Sequence, residues 1–177
     1  LTETETEWLQ SRLDAFTQQW TAHNNALKAC AEVFDRQLIL LMVDETQAGA
    51  SGCSIDTSVH FLEKAGLQLG VNLFDRRRFG WLEGEQLRFE RQEIVEQELG
   101  NGKITADTLM VNTLAGTRRA LSEQWLQPLH KSWHKRILTV PASGCLCLRS
   151  DPLTDSGSDS SRQRFLSAPS KKHIVQA

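Results

Sequence analysis

The feature that most constrains this chain is Gln37-Leu-Ile-Leu-Leu-Met-Val-Asp44, a run apolar at both odd and even positions. A strand covered on one face alternates apolar and polar residues, whereas a strand buried on both faces does not. The run therefore predicts an interior strand. Leu27–Phe34 precedes it as a second strand, and Asp35-Arg36 between them is short enough for a tight hairpin link. A chain that must cover both faces of one hairpin strand is directed toward sheets with helices packed on them.

The flanking segments supply those helices. Leu9, Leu13, Phe16 and Trp20 recur at spacings of 4, 3 and 4, one stripe of an amphipathic helix, with Thr4-x-x-Glu7 as its expected capping box. Ile55, Val59, Leu62 and Gly66 share a face of a second helix that should end near Gly66 or Gly70. Phe79–Leu82 and Gln86–Phe89 read as a hairpin about Glu83-Gly84-Glu85. Arg91–Leu99 reads as a short helix stopped by Gly100-Asn101-Gly102. Thr108–Val111 is an expected strand and Arg118–Trp125 a helix. Leu126, Leu129, Trp133 and Ile137 again have helical spacing, with Pro128 acceptable at a helix start.

The expected fold class is thus α+β: a largely antiparallel sheet built from hairpins, with helices packed on it. Residues 1–138 are expected to form a single domain, a natural size within 177 residues. Residues 139–177 read as a Ser/Asp-rich tail, mostly disordered from about residue 150. "SDPLTDSGSDSSRQ" has almost nothing to bury, so ordering it would cost entropy without return.

Charge is unevenly placed. Residues 1–75 carry 4 Lys/Arg against 11 Asp/Glu, while residues 76–138 carry 11 against 8 and the remainder 5 against 3. A net charge of -2 argues against a general nucleic-acid binder, but the basic second half can steer an anionic partner to one face. No signal peptide is visible. The longest apolar run, Leu38 to Val43, is far too short to span a membrane, so a cytoplasmic location without membrane contact is expected. Cys30, Cys53, Cys145 and Cys147 do not form a small disulfide framework. Cys145-x-Cys147 lacks a second pair at zinc-ligand spacing.

Several segments together resemble a known family. "VDE" followed by "ASGCSIDTSVHFLEKAGLQLGVNLFDR", then "GKITADTLMVNTLAG" and W-L-x-P-L-x-x-S-W-H-K-R, is similar to a family of small bacterial proteins found mainly in Bacteroidota. Its members are often labelled "ABC transporter ATPase". The resemblance spans roughly residues 12–138 and implies no established activity. The label itself fails on this chain. An ABC ATPase needs Gly-x-x-x-x-Gly-Lys-Ser/Thr, whose amides and lysine hold phosphates; here Gly102-Lys103 is followed by Ile104.

Three constellations could carry function. Cys53, in "ASGCSID", sits where a helix N-terminus would activate a thiolate, but a thiol enzyme also needs a base in reach. His60 lies seven residues on, about 10 Å along a helix axis, so Cys53 reads first as a small buried side chain, with Ser51-Gly52 making the turn and Ser54 or Asp56 capping the helix. Asp44, Glu45, Asp56 and Asp75 are acids at strand ends, helix starts and loops. If they converged they could hold Mg²⁺ or Mn²⁺ for phosphodiester hydrolysis of the RNase H-like type. The third is "FDRRRFGW" with "HKSWHKR". Arg76, Arg77, Arg78 and Trp81 in the first, and Lys131, Trp133, His134, Lys135 and Arg136 in the second, mix cations with rings, as phosphate contact and base stacking require. The preferred reading is a non-catalytic domain binding RNA or a protein partner through this basic/aromatic face, with no cofactor. The metal-dependent hydrolase and the Cys53 thiol enzyme are the alternatives.

Overall fold

The computed structural model describes residues 1–46, 49–138 and 171–176. The first helix, α1, covers Glu3–Gln19. Its capping box is Thr2 with Glu5, not the expected Thr4 with Glu7. The Glu5 amide donates to Thr2 Oγ1 at 3.3 Å, and the Thr2 amide donates to Glu5 Oε2 at 2.7 Å. The repeating Thr-Glu sequence offers two registers of the same motif, and the earlier one adds a half turn of hydrogen-bonded helix.

A miniature hairpin follows, β1 (Thr21–Ala22) and β2 (Asn25–Ala26), turning through His23 and Asn24 at positive φ. Then come β3 (Lys28–Phe34) and β4 (Leu38–Asp44), paired antiparallel from Lys28 opposite Asp44 to Phe34 opposite Leu38. Asp35 and Arg36 both take positive φ, 49° and 56°, the conformation that lets a short turn match the twist of its strands.

β4 is buried on both faces, as its composition requires. Ile39 packs with Leu9, Leu13 and Leu62 beneath α1 and α2, the helix Gly52–Leu69, while Leu41 and Val43 pack with Trp20 and Leu27. On the opposite face Leu38 and Leu40 meet Phe89, Val111 and Leu121. Those residues belong to a second layer: β5 (Arg78–Glu83), β6 (Gln86–Arg91), α3 (Gln92–Gly100), β7 (Leu109–Val111), α4 (Arg118–Gln124) and β8 (Leu126–Pro128). Its strands run in the order β6-β5-β7-β8, with antiparallel pairing throughout. Helices on one face of the hairpin and a second antiparallel sheet on the other make the fold α+β.

Residues 126–137 depart from the expected helix. Leu126–Pro128 is a strand paired with β7, and two 3-10 turns follow, Leu129–Lys131 and Trp133–Arg136. Pro128 sits at extended ψ, 140°, and Ser132 at 153°, so the backbone leaves helical geometry twice in five residues. The spacing of Leu129, Trp133 and Ile137 fits successive short turns as well as a continuous helix. Of the expected C-terminal tail, residues 139–170 and 177, including Cys145 and Cys147, lie outside the described residues. Lys171–Gln176 form β9, antiparallel to β4 with Leu38 opposite Gln176.

Candidate functional site

The "ASGCSID" turn is the N-terminus of α2. Ser51 is the cap: the Ser54 amide donates to Ser51 Oγ at 3.3 Å, and the Ser51 amide donates to Ser54 Oγ at 2.8 Å. Ser54 thus contributes as the reciprocal partner. Asp56 lies beyond the cap on an exposed face, so the cap is Ser51 and not the expected Ser54 or Asp56. Ser has the short oxygen that this geometry needs one turn earlier. Cys53 is exposed in the first turn and not buried as expected, because α2 turns this position away from the core, and its thiol hydrogen-bonds to no histidine among the described residues. Gly70 ends the helix at φ 67°, its amide reaching back to the last carbonyls.

The four acids do not come together. Asp44 is buried and faces its cross-strand neighbour, with Lys28 Nζ at 3.0 Å. Its Oδ1 also accepts from the Thr46 hydroxyl at 2.7 Å and the Thr46 amide at 3.1 Å. These bonds, the Thr46 hydroxyl foremost, hold its carboxyl below the ordinary aspartate range. Asp44 therefore ends a strand. Glu45 lies in the turn after it, Asp56 on the outside of α2, and Asp75 accepts from the Arg77 amide at 3.1 Å. Among the described residues no three His, Cys, Asp or Glu side chains are placed to hold a metal ion. The expected Mg²⁺ or Mn²⁺ cluster of Asp44, Glu45, Asp56 and Asp75 is not formed, because each acid serves a local turn, pair or helix surface.

The two basic and aromatic segments, by contrast, meet. The Phe79 ring stands edge-on to Trp133 at 5.7 Å and to His134 at 5.2 Å, and Trp133 stacks on His134 at 3.9 Å. Phe79, Trp81 and His134 face inward, while Trp133 is half-buried. Phe79 and Trp81 are core residues, Trp81 lying beneath the Arg88 guanidinium at 5.6 Å, and His134 is 1% exposed. His134 Nδ1 bonds the Ser132 hydroxyl, and burial pushes its pKa down to about 4, so the ring is neutral at pH 7. Trp81 and His134 therefore do not reach solvent as expected of base-contacting groups. The cations do: Arg76, Arg77, Lys131, Lys135 and Arg136 are exposed. Arg78 is half-buried, its guanidinium donating to the Phe89 carbonyl at 2.9 Å.

Beside this face lies a cleft of about 520 Å³. Ile55, Val59 and Leu62 of α2 line it, together with Leu73, Phe74, Leu114 and Trp133. Arg76 and Arg78 reach it from the basic segment, together with Asp75. The sequence reading missed the cleft, since its walls come from segments separated by dozens of residues. Leu114, at its edge, is 68% exposed, which is visible only once the fold is known.

No protein-family model matches the chain, and neither a curated protein nor a solved structure shows a significant match. The likeness to the small bacterial family rests on the quoted segments alone.

Proposed function

We propose that this chain is a non-catalytic cytoplasmic binding domain that holds RNA by its phosphate backbone on the face where residues 76–78 and 131–136 meet. The observation that carries the reading is the packing of the two segments through Phe79, Trp133 and His134. It gathers Arg76, Arg77, Lys131, Lys135 and Arg136, all exposed, in two adjoining segments. Among the described residues only Arg77 of these five has an acidic partner, Asp75 at 3.7 Å. Cations left without local partners are available to phosphates. With Phe79, Trp81 and His134 turned inward, phosphate contacts supply the affinity and base stacking contributes little.

The test is fluorescence anisotropy of a labelled oligouridylate titrated with the full chain, against the Lys131→Ala/Lys135→Ala/Arg136→Ala variant. These side chains are exposed and make no hydrogen bonds among the described residues, so the variant keeps its fold. Binding that weakens at least tenfold supports the reading. Equal binding by both proteins, or none by either, refutes it, and a change in oligomeric state alone points to a protein partner at this face.

A further inference from the structure

We infer that the cleft between α2 and Trp133 is a binding site for an amphipathic anion, a small carboxylate carrying an aliphatic chain. Its size falls within the range of small-molecule sites, at about 520 Å³. Apolar side chains of α2, with Leu73, Phe74, Leu114 and Trp133, give its lining a large apolar share, beside the hydroxyls of Ser58 and Thr113. Leu114, 68% exposed, would lose much of that surface against a bound chain.

The charge at the cleft selects the headgroup. Arg76 has no hydrogen bond or ion pair among the described residues. Among the described residues Arg78 donates to the neutral Phe89 carbonyl and has no acidic partner. The one acid in the lining, Asp75, is already engaged by the Arg77 amide and guanidinium. Two guanidinium groups without acidic partners among the described residues thus border a cleft with a large apolar share. A carboxylate can meet them in paired hydrogen bonds while its chain lies along α2. A cationic head would be repelled, and a neutral one would leave both charges unpaired.

This inference stands on the cleft and not on the RNA reading, although Arg76 borders both. The experiment separates them. Isothermal titration of the full chain with hexanoate, octanoate and decanoate should give saturable binding, tightening about three- to fourfold per methylene as each is buried. Decanol and decyltrimethylammonium should bind at least tenfold more weakly than decanoate. Leu114→Asp, at an exposed position, and Arg76→Glu should each weaken decanoate at least tenfold. The Lys131→Ala/Lys135→Ala/Arg136→Ala variant should bind it as the wild type does. Absence of saturable binding, equal binding of decanol, or wild-type affinity in Leu114→Asp would overturn the assignment, whatever the outcome with RNA.

Discussion

Replacing Ser51 by alanine tests the placement of α2, which lines the cleft through Ile55, Val59 and Leu62. The substitution removes the acceptor for the Ser54 amide, leaving one of the first-turn N–H groups without its side-chain partner. The reciprocal bond from the Ser51 amide to Ser54 Oγ persists, because it uses backbone on the Ser51 side. Half the capping box is therefore lost, and the expected cost is about 1 kcal/mol, within the roughly 0.5–2 kcal/mol range for such caps. For a chain of this length that lowers Tm by about 2–4 °C. Asp56→Ala removes an exposed carboxylate past the cap and should change stability by less than about 0.5 kcal/mol. Urea unfolding followed by circular dichroism gives both values, with an unchanged m-value showing that the same structure unfolds. A larger loss in Asp56→Ala than in Ser51→Ala would refute the assignment of the cap.

Burial of His134 links stability to pH. Its folded pKa of about 4 lies below the ordinary histidine value, so the unfolded chain binds the proton more readily. Stability is then complete above about pH 6.5 and falls as the pH drops toward 4, by about 3 kcal/mol at most. Denaturant midpoints between pH 7 and 4 should show this slope in the wild type, and His134→Gln should flatten it. Separately, a Cβ added at Gly80 would clash with the ring of Phe89, its cross-strand partner. Gly80→Ala should cost about 1–3 kcal/mol by overpacking, and Gly80→Ala/Phe89→Leu should recover part of it in the same unfolding assay.

What could be read in the sequence was what local pattern determines. The two-sided apolar run of β4 announced an interior strand, because no other placement buries both its faces. Asp35-Arg36 announced the turn by its length. Where several local structures share one pattern, the reading failed. Leu126 to Ile137 has helical spacing, but pairing with β7 draws Leu126–Pro128 into the sheet, and Pro128 is the residue that should have signalled it. Ser51-x-x-Ser54 closes a capping box without the glutamate or glutamine that marks one in a sequence, so its serines fit a plain turn equally well. The basic and aromatic segments were recognised, yet not that Phe79, Trp81 and His134 point inward, since which side of a segment faces the core depends on what packs there. The cleft had no local signal at all.

The central claim is that exposed cations on adjoining segments hold phosphates, and the salt dependence of RNA binding tests it most directly. Each phosphate met on a single strand contributes a slope of about -0.7 in log K against log salt, so engagement of Arg76, Arg77, Lys131, Lys135 and Arg136 predicts about -3 to -3.5. Removing Lys131, Lys135 and Arg136 together should reduce the slope by about 2, leaving the remainder to the two arginines. A wild-type slope near zero, or a slope unchanged in the triple variant, would contradict the account.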